Sequence, residues 1–311
     1  MSATLVIGAN GQIGSELVEM LSASPGAGAV IAADLAPPRA PGHSPFVCLD
    51  VLDRAHLREV VQRHAVADVY LLAAVLSARG EAAPLETWRL NIDSLLNVLE
   101  LAREGAIRRL FWPSSIAAFG PHSPRTPATQ WSVMDPTTMY GASKLAGERL
   151  CAYYFARYGV DVRSLRLPGV ISHRTPPGGG TTDYAIAMFH AAKRGEVYRC
   201  FVDEDTVLPM IFMPDALRAM QELMQADPAR VRIRSSYNVA GVSFSAGELA
   251  AEIARRVPGF TVSYVPDFRQ AIADSWPAAI DDRDAAEDWG WRPRFGLSAI
   301  AAEMLAHVQA A

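Results

Sequence analysis

The stretch "LVIGANGQIGSELV", residues 5–18, sets the reading of the whole chain. A short apolar run, Leu5 to Ile7, stops at Gly8. Gly11 and Gly14 follow at three-residue spacing, and Gln12 and Ile13 open a segment with helical apolar spacing. The run reads as a strand, the glycines as a turn and the rest as a helix. Glycine lets backbone N–H groups approach a diphosphate closely, and a helix start favours its negative charge. Gly8, Gly11, Gln12, Ile13 and Gly14 are therefore the candidate dinucleotide cradle. Three glycines also suit an ordinary strand-to-helix turn, so the surrounding sequence must decide.

The next apolar run, "AVIAADL", ends near Asp34, 20 residues beyond Gly14. A carboxylate at that spacing accepts the hydroxyls of an adenine ribose and repels a 2′-phosphate, so the expected cofactor is NAD and not NADP. Further runs, "VADVYLLAA", "IRRLFWPSS" and "VRSLRLPGV", alternate with helical spacing over 14–24, 53–65, 84–104 and 140–158. Both faces of these strands look apolar, as in a parallel sheet covered by helices. The alternation predicts an α/β fold, a Rossmann-type doubly wound sheet, over residues 1–170. After residue 170 the pattern loosens, with helices expected at 183–194, 214–226 and 245–257. Residues 171–311 read as a smaller substrate-binding region, with later strands near 205–240 interleaved into the first part.

The 311 residues are 50% hydrophobic and 20% charged, with a formal net charge of -4. No block of Lys and Arg suggests a nucleic-acid partner, and no apolar run approaches a bilayer crossing. Cys48, Cys151 and Cys200 are far apart and the seven histidines do not cluster, which argues against a metal and for a reducing compartment. With no secretory signal at the N-terminus, a cytoplasmic location is expected.

"MYGASK" holds Tyr140 and Lys144 one helical turn apart. A free phenol titrates near ~10; an adjacent ammonium, and the positive nicotinamide of bound NAD, would lower that value and make Tyr140 a base. Together with the glycine spacing, this resembles the extended short-chain dehydrogenase/reductase family. The resemblance implies further residues. Ser115 in "WPSSIAAFG" matches the hydroxyl that holds the reacting oxygen, while Ser114 could cap or touch cofactor instead. Asp50 and Val51 in "LDVLD" match adenine contacts. Leu72, Ala73 and Ala74 in "LLAAVLS" and Leu167, Pro168 and Gly169 in "LRLPGV" match loops beside the cofactor. Asn91 matches a helix Asn that fixes backbone and water, and Lys144 would also reach the nicotinamide ribose. Asp215 reads as a helix cap.

"PPGGGTTDYA", residues 176–185, is similar to a segment of the short-chain type of L-threonine 3-dehydrogenase. That likeness implies oxidation of the β-hydroxyl of L-threonine to 2-amino-3-oxobutyrate. A helix beginning near Thr182 would offer free N–H groups to a carboxylate. Gly180, Thr181, Thr182, Ser77 and Trp276 join Ser115 and Tyr140 as candidate substrate contacts; a flexible loop capped by Thr is the simpler alternative. A nucleotide-sugar epimerase or dehydratase of the same family remains open, since Arg232, Arg234, Arg255, Arg256, Arg269 and Arg283 could meet a second diphosphate. A nonenzymatic NAD-binding sensor is the third reading. Apolar residues around the helices at 84–104 and 140–158, among them Leu85, Trp88, Leu95, Leu99, Tyr153, Tyr154 and Phe155, suggest a homodimer through these helices.

Overall fold

The computed structural model describes residues 2–24, 28–38, 44–174 and 178–309, so Pro176 and Pro177 of the glycine segment lie outside it. The strands are β1 (Ala3–Ile7), β2 (Val30–Asp34), β3 (Phe46–Cys48), β4 (Val66–Leu71), β5 (Arg109–Ser115), β6 (Asp161–Leu167), β7 (Gly169–Ile171), β8 (Tyr198–Cys200), β9 (Val207–Phe212), β10 (Tyr237–Asn238), β11 (Val242–Ser245) and β12 (Val262–Tyr264). The helices are α1 (Gln12–Ala23), α2 (Arg54–Arg63), α3 (Ser77–Gly80), α4 (Pro84–Arg103), α5 (Met139–Tyr158), α6 (Tyr184–Arg194), α7 (Met213–Gln225), α8 (Ala246–Ala254), α9 (Phe268–Asp274), α10 (Arg283–Trp289) and α11 (Leu297–His307). The sequence pattern does not announce β3 or α3, which are three and four residues long.

Seven strands form one parallel sheet in the order β10-β6-β5-β4-β1-β2-β3. This is the doubly wound arrangement. Strand order reverses at β1, which pairs with β2 on one side and β4 on the other, and a crevice opens beyond the carboxyl ends there. Gly8 makes the turn possible. Its φ is +87°, and a Cβ there would stand 2.6 Å from the Ala73 nitrogen. A Cβ on Gly14 would stand 2.1 Å from the Gly8 carbonyl oxygen. A larger residue at Gly8 would collide with the backbone leaving β4, and one at Gly14 would push α1 off the end of β1. Gly11 caps α1 without a side-chain acceptor, so the first N–H groups of the helix have no side-chain partner.

Alternation along the strands fills both faces. Leu5, Ile7 and Trp112 pack with Leu95, Leu99 and Tyr154 of α4 and α5. Val6, Phe111 and Leu165 pack with Leu17 of α1 and Met220 and Leu223 of α7. The strand β6 departs from the expected apolar reading: Arg163 and Arg166 are both buried in it. Each is fully partnered, as buried charge requires. Arg163 donates to the carbonyls of Leu223, Met224 and Ala226 at the end of α7 and pairs with Asp161.

Residues beyond 170 serve two regions. β10 extends the large sheet and α7 covers the face of α1. The remaining elements build a second lobe with a three-stranded sheet, β11-β9-β7, and a two-stranded one, β12-β8. Asp215 does not cap α7, whose cap position is Phe212 and has no side-chain hydrogen bond; it stands within the first turn of the helix. It is buried, and its carboxylate accepts Arg218 at 2.7 Å and the backbone N–H groups of Arg294 and Phe295, which fastens the C-terminal tail. Of the apolar residues expected to face outward on α4 and α5, Leu95, Leu99 and Tyr154 are buried within the chain, while Leu85, Trp88, Tyr153 and Phe155 are exposed.

Candidate active site

Two adjoining cavities, of about 520 and 240 Å³, run along the carboxyl edge of the sheet. The larger is lined by Gly8, Gly11, Asp34, Asp50, Val51, Leu72, Ala73 and Ala74. The smaller brings together Gln12, Ile13, Gly14, Ser77, Ser115, Tyr140, Lys144, Leu167, Pro168, Gly180, Thr181, Thr182 and Trp276. Gly8, Gly11, Leu72 and Ala74 line both.

The larger cavity suits a dinucleotide. Asp34 ends β2, and one carboxylate oxygen accepts the Asn10 N–H at 2.9 Å while the other accepts Leu35 N–H at 2.8 Å. The carboxylate is thus tied to the glycine turn and keeps lone pairs for ribose hydroxyls. At the turn itself, the buried Gln12 Nε2 has no hydrogen-bond partner among the described residues, as expected of a donor waiting for an acceptor. Asn91 is the exception among the candidates. It lines neither cavity. Its amide accepts the Val75 N–H at 2.9 Å and donates to the Ser143 hydroxyl at 3.1 Å, so it braces the wall from behind.

Thr138 caps α5 by accepting the Gly141 N–H at 3.0 Å, which fixes Tyr140 and Lys144 in the first turns. The Lys144 ammonium donates to the Pro113 carbonyl at 2.6 Å, lies 4.5 Å from the Trp112 ring centre and 5.5 Å from that of Tyr140. Burial dominates both groups. It pushes the Tyr140 phenol up to about 12, which the neighbouring Ser115 hydroxyl offsets only in part. It pulls the Lys144 amine down to about 7, against the attraction of Cys151 and Glu148. Without bound cofactor, burial outweighs any acidifying effect of the lysine on the phenol, because a dry pocket penalises both charged forms. Ser115 accepts the Ala117 N–H at 3.2 Å. Ser114 also borders the cavity, but its hydroxyl is buried and donates to Glu148 at 2.6 Å. Glu148 is also held by a bidentate pair with buried Arg166, at 2.8 and 2.7 Å.

The glycine segment differs in detail from the expectation. Helix α6 starts at Tyr184 with Asp183 at its cap position, two residues after Thr182 and close to the expected start. The N–H groups of Ala185 and Ile186 are taken by the carbonyls of Thr182 and Asp183. Thr182 does not cap the helix. It is half-buried against Gly169, with no partner for its hydroxyl among the described residues. Thr181 is buried, and its hydroxyl lies 3.2 Å from that of Ser77, so these two candidates hold each other across the cleft. Trp276, nearly buried, closes one side.

Asp183 was not singled out by the sequence reading, although it directly follows the two threonines. Its carboxylate accepts the Gly179 and Gly180 N–H groups, both at 2.7 Å, and burial raises its pKa. Among the described residues it is the one acidic residue lining the smaller cavity. The Pro113 carbonyl that anchors Lys144 was missed too, because a main-chain acceptor leaves no mark in side-chain pattern.

The comparisons with known proteins agree with this geometry. The family described as "NAD dependent epimerase/dehydratase family" matches residues 4–240. The chain is similar to the GalE-like L-threonine dehydrogenase of Cupriavidus necator in its holo form, with 54% identity, TM-score 0.97, and coverage of 99% of this chain and 100% of that one. It is similar to a monomeric L-threonine 3-dehydrogenase from a metagenome, with 44% identity, TM-score 0.94 and 98% of each chain covered. A curated relative from Staphylococcus saprophyticus, named only as an uncharacterised epimerase/dehydratase, is 43% identical over 309 residues, covering 98% of this chain and 96% of that protein. With a glycine turn on β1, a carboxylate on β2 and the Ser, Tyr and Lys group on one carboxyl edge, the chain belongs to the NAD-dependent epimerase/dehydratase family and is an oxidoreductase that takes NAD as its cofactor.

Proposed function

We propose that the protein oxidises the β-hydroxyl of L-threonine to 2-amino-3-oxobutyrate, the first step of a route from threonine towards glycine. The observation that carries this reading is the meeting of Ser115, Tyr140 and Lys144 with residues 180–183 in one small cavity beside the glycine turn. The similarity to threonine dehydrogenases supports it.

In this reading Gly8, Gly11, Gln12, Ile13 and Gly14 hold the diphosphate, and Asp34 the adenine ribose. Asp50 and Val51 border the adenine; Leu72, Ala73, Ala74, Leu167 and Pro168 line the path to the reacting end. NAD, when bound in oxidised form, supplies the hydride acceptor and a positive ring whose charge favours phenolate nearby. Ser115 orients the substrate hydroxyl and Tyr140 removes its proton. Lys144 binds the nicotinamide ribose, and Trp276 excludes water from the reacting carbon. Thr182 offers the free hydroxyl of the segment to the substrate, with Gly180 allowing close approach. The Ser77–Thr181 pair shapes that wall. Residues 171–311 supply most of the substrate-covering region, as read from the sequence.

A nucleotide-sugar substrate is disfavoured by charge. Its second diphosphate needs cations, yet the six arginines available for it pair with acids: Arg232 with Asp288, Arg234 with Asp161, Arg255 and Arg256 with Glu252, Arg269 with Asp267, and Arg283 with Asp281. None of the six lines either cavity. The exposed Leu85, Trp88, Tyr153, Phe155 and Tyr158 of α4 and α5 support a homodimer, although one similar threonine dehydrogenase is described as monomeric; sedimentation tests that point.

The experiment for substrate follows NADH absorbance after adding NAD with single amino acids, and with a UDP-sugar in a second arm. Turnover with L-threonine is expected. Turnover of the sugar alone overturns the reading, and NAD binding with no turnover of either assigns a sensor.

A further inference from the structure

Glu16 is a carboxylate buried on the inner side of α1, one turn beyond Gln12. Burying such a group costs free energy unless it is bonded, and Leu17 and Leu21 already supply the apolar contacts of this helix. One Glu16 oxygen accepts the hydroxyl of Ser172 at 2.5 Å, from 156 residues along the chain. Ser172 is fully buried and also accepts the Arg174 N–H at 3.1 Å. Arg174 in turn lies 3.9 Å from the second Glu16 oxygen and pairs with Glu19, one turn further along α1. The chain leaving β7 is thus fastened at two points to the helix whose first turn faces the cofactor cavity.

The same strand is the floor of the substrate segment. A Cβ on Gly169 of β7 would stand 2.8 Å from the Cβ of Thr182. The other side of the segment is tied by Thr181 to Ser77, the first residue of α3 beyond the loop that follows β4. Both attachments therefore lead to walls of the cofactor cleft. We infer that Glu16 and Ser172 are positioning residues for the amino-acid substrate: their hydrogen bond sets β7, and with it Thr182, against the cofactor-binding helix. The inference rests on the substrate role of residues 180–183.

The test compares Ser172→Ala and Glu16→Gln with the wild-type holoenzyme, by steady-state kinetics, NAD binding and amide hydrogen exchange. Ser172→Ala is expected to raise KM for threonine on the order of tenfold, since small displacements of positioning groups are felt strongly in rate and binding. Its kcat and NAD affinity stay near wild type. Glu16→Gln keeps an acceptor oxygen for Ser172 and stays near wild type throughout. Amides in the peptide covering 178–187 exchange faster in Ser172→Ala, while those of the glycine turn do not. Unchanged exchange in that peptide overturns the inference, as does a loss of NAD affinity parallel to the rise in KM. Absence of threonine turnover in the wild type overturns the substrate assignment instead, and the exchange measurement still decides whether Ser172 holds the segment.

Discussion

Lys144 and Tyr140 share one cavity, yet the Lys144 ammonium bonds to the Pro113 carbonyl at 2.6 Å and its nitrogen stays 5.5 Å from the centre of the Tyr140 ring. The lysine is held by the sheet, and burial rather than mutual attraction governs both side chains. In the proposed mechanism, the charge that favours phenolate arrives with bound NAD. Tyr140→Phe is therefore expected to keep NAD binding and to lose roughly 10²–10⁴-fold in kcat, the usual contribution of a positioned base. A kcat close to wild type in this variant removes Tyr140 from the mechanism.

The depressed lysine has a consequence for stability in the ligand-free protein. The unfolded chain holds its proton up to about 10.5, the folded chain only to about 7. Between those values the unfolded state binds more protons, so this group's destabilising effect is full below the window and fades as pH rises through it. Lys144→Met should raise the melting temperature most at the acid end of the window, with the gain shrinking towards the alkaline end. Melting curves of both proteins across that range check it, and a gain independent of pH shows that the amine titrates normally.

Asp34 hydrogen-bonds the glycine turn through Asn10 and turns its remaining lone pairs to the cavity. Losing a charged acceptor for ribose hydroxyls costs roughly ten- to a hundredfold in affinity. Asp34→Ala is expected to weaken NAD by that factor and to leave NADP binding little changed or improved. Titration of both dinucleotides measures the ratio; an unaltered preference rules out the ribose contact.

Beneath the site, Glu148 accepts Ser114 and both forks of Arg166, all buried. Removing one partner strands the other charge, at a cost of about 3–5 kcal/mol. Glu148→Ala should show that loss in denaturant unfolding, and the double variant Glu148→Leu with Arg166→Met should recover much of it. A single-variant cost under about 1 kcal/mol means the pair is open to water.

Ser77 and Thr181 bond to each other across 104 residues. If that contact is their common role, Ser77→Ala and Thr181→Val raise KM alike, and the double variant is no worse than either. Additive losses in the cycle would assign each hydroxyl its own contact with substrate.

The glycine turn, the acid ending β2 and the Tyr140–Lys144 spacing were legible from sequence because each is a local device: a positive φ at Gly8, a fixed strand length, one turn of helix. The doubly wound order followed from alternating periods of apolar residues. The short β3 and α3 were not legible, since three or four residues carry no period. By itself, then, the sequence determined the sheet, the cofactor end and the residues that could do acid–base chemistry. Only the tertiary structure decided that Ser114 serves Glu148, that Thr181 serves Ser77, that Asn91 stands behind the wall, and that the C-terminal arginines pair with acids. Those outcomes depend on distance and burial between residues far apart along the chain, and no local pattern encodes either one.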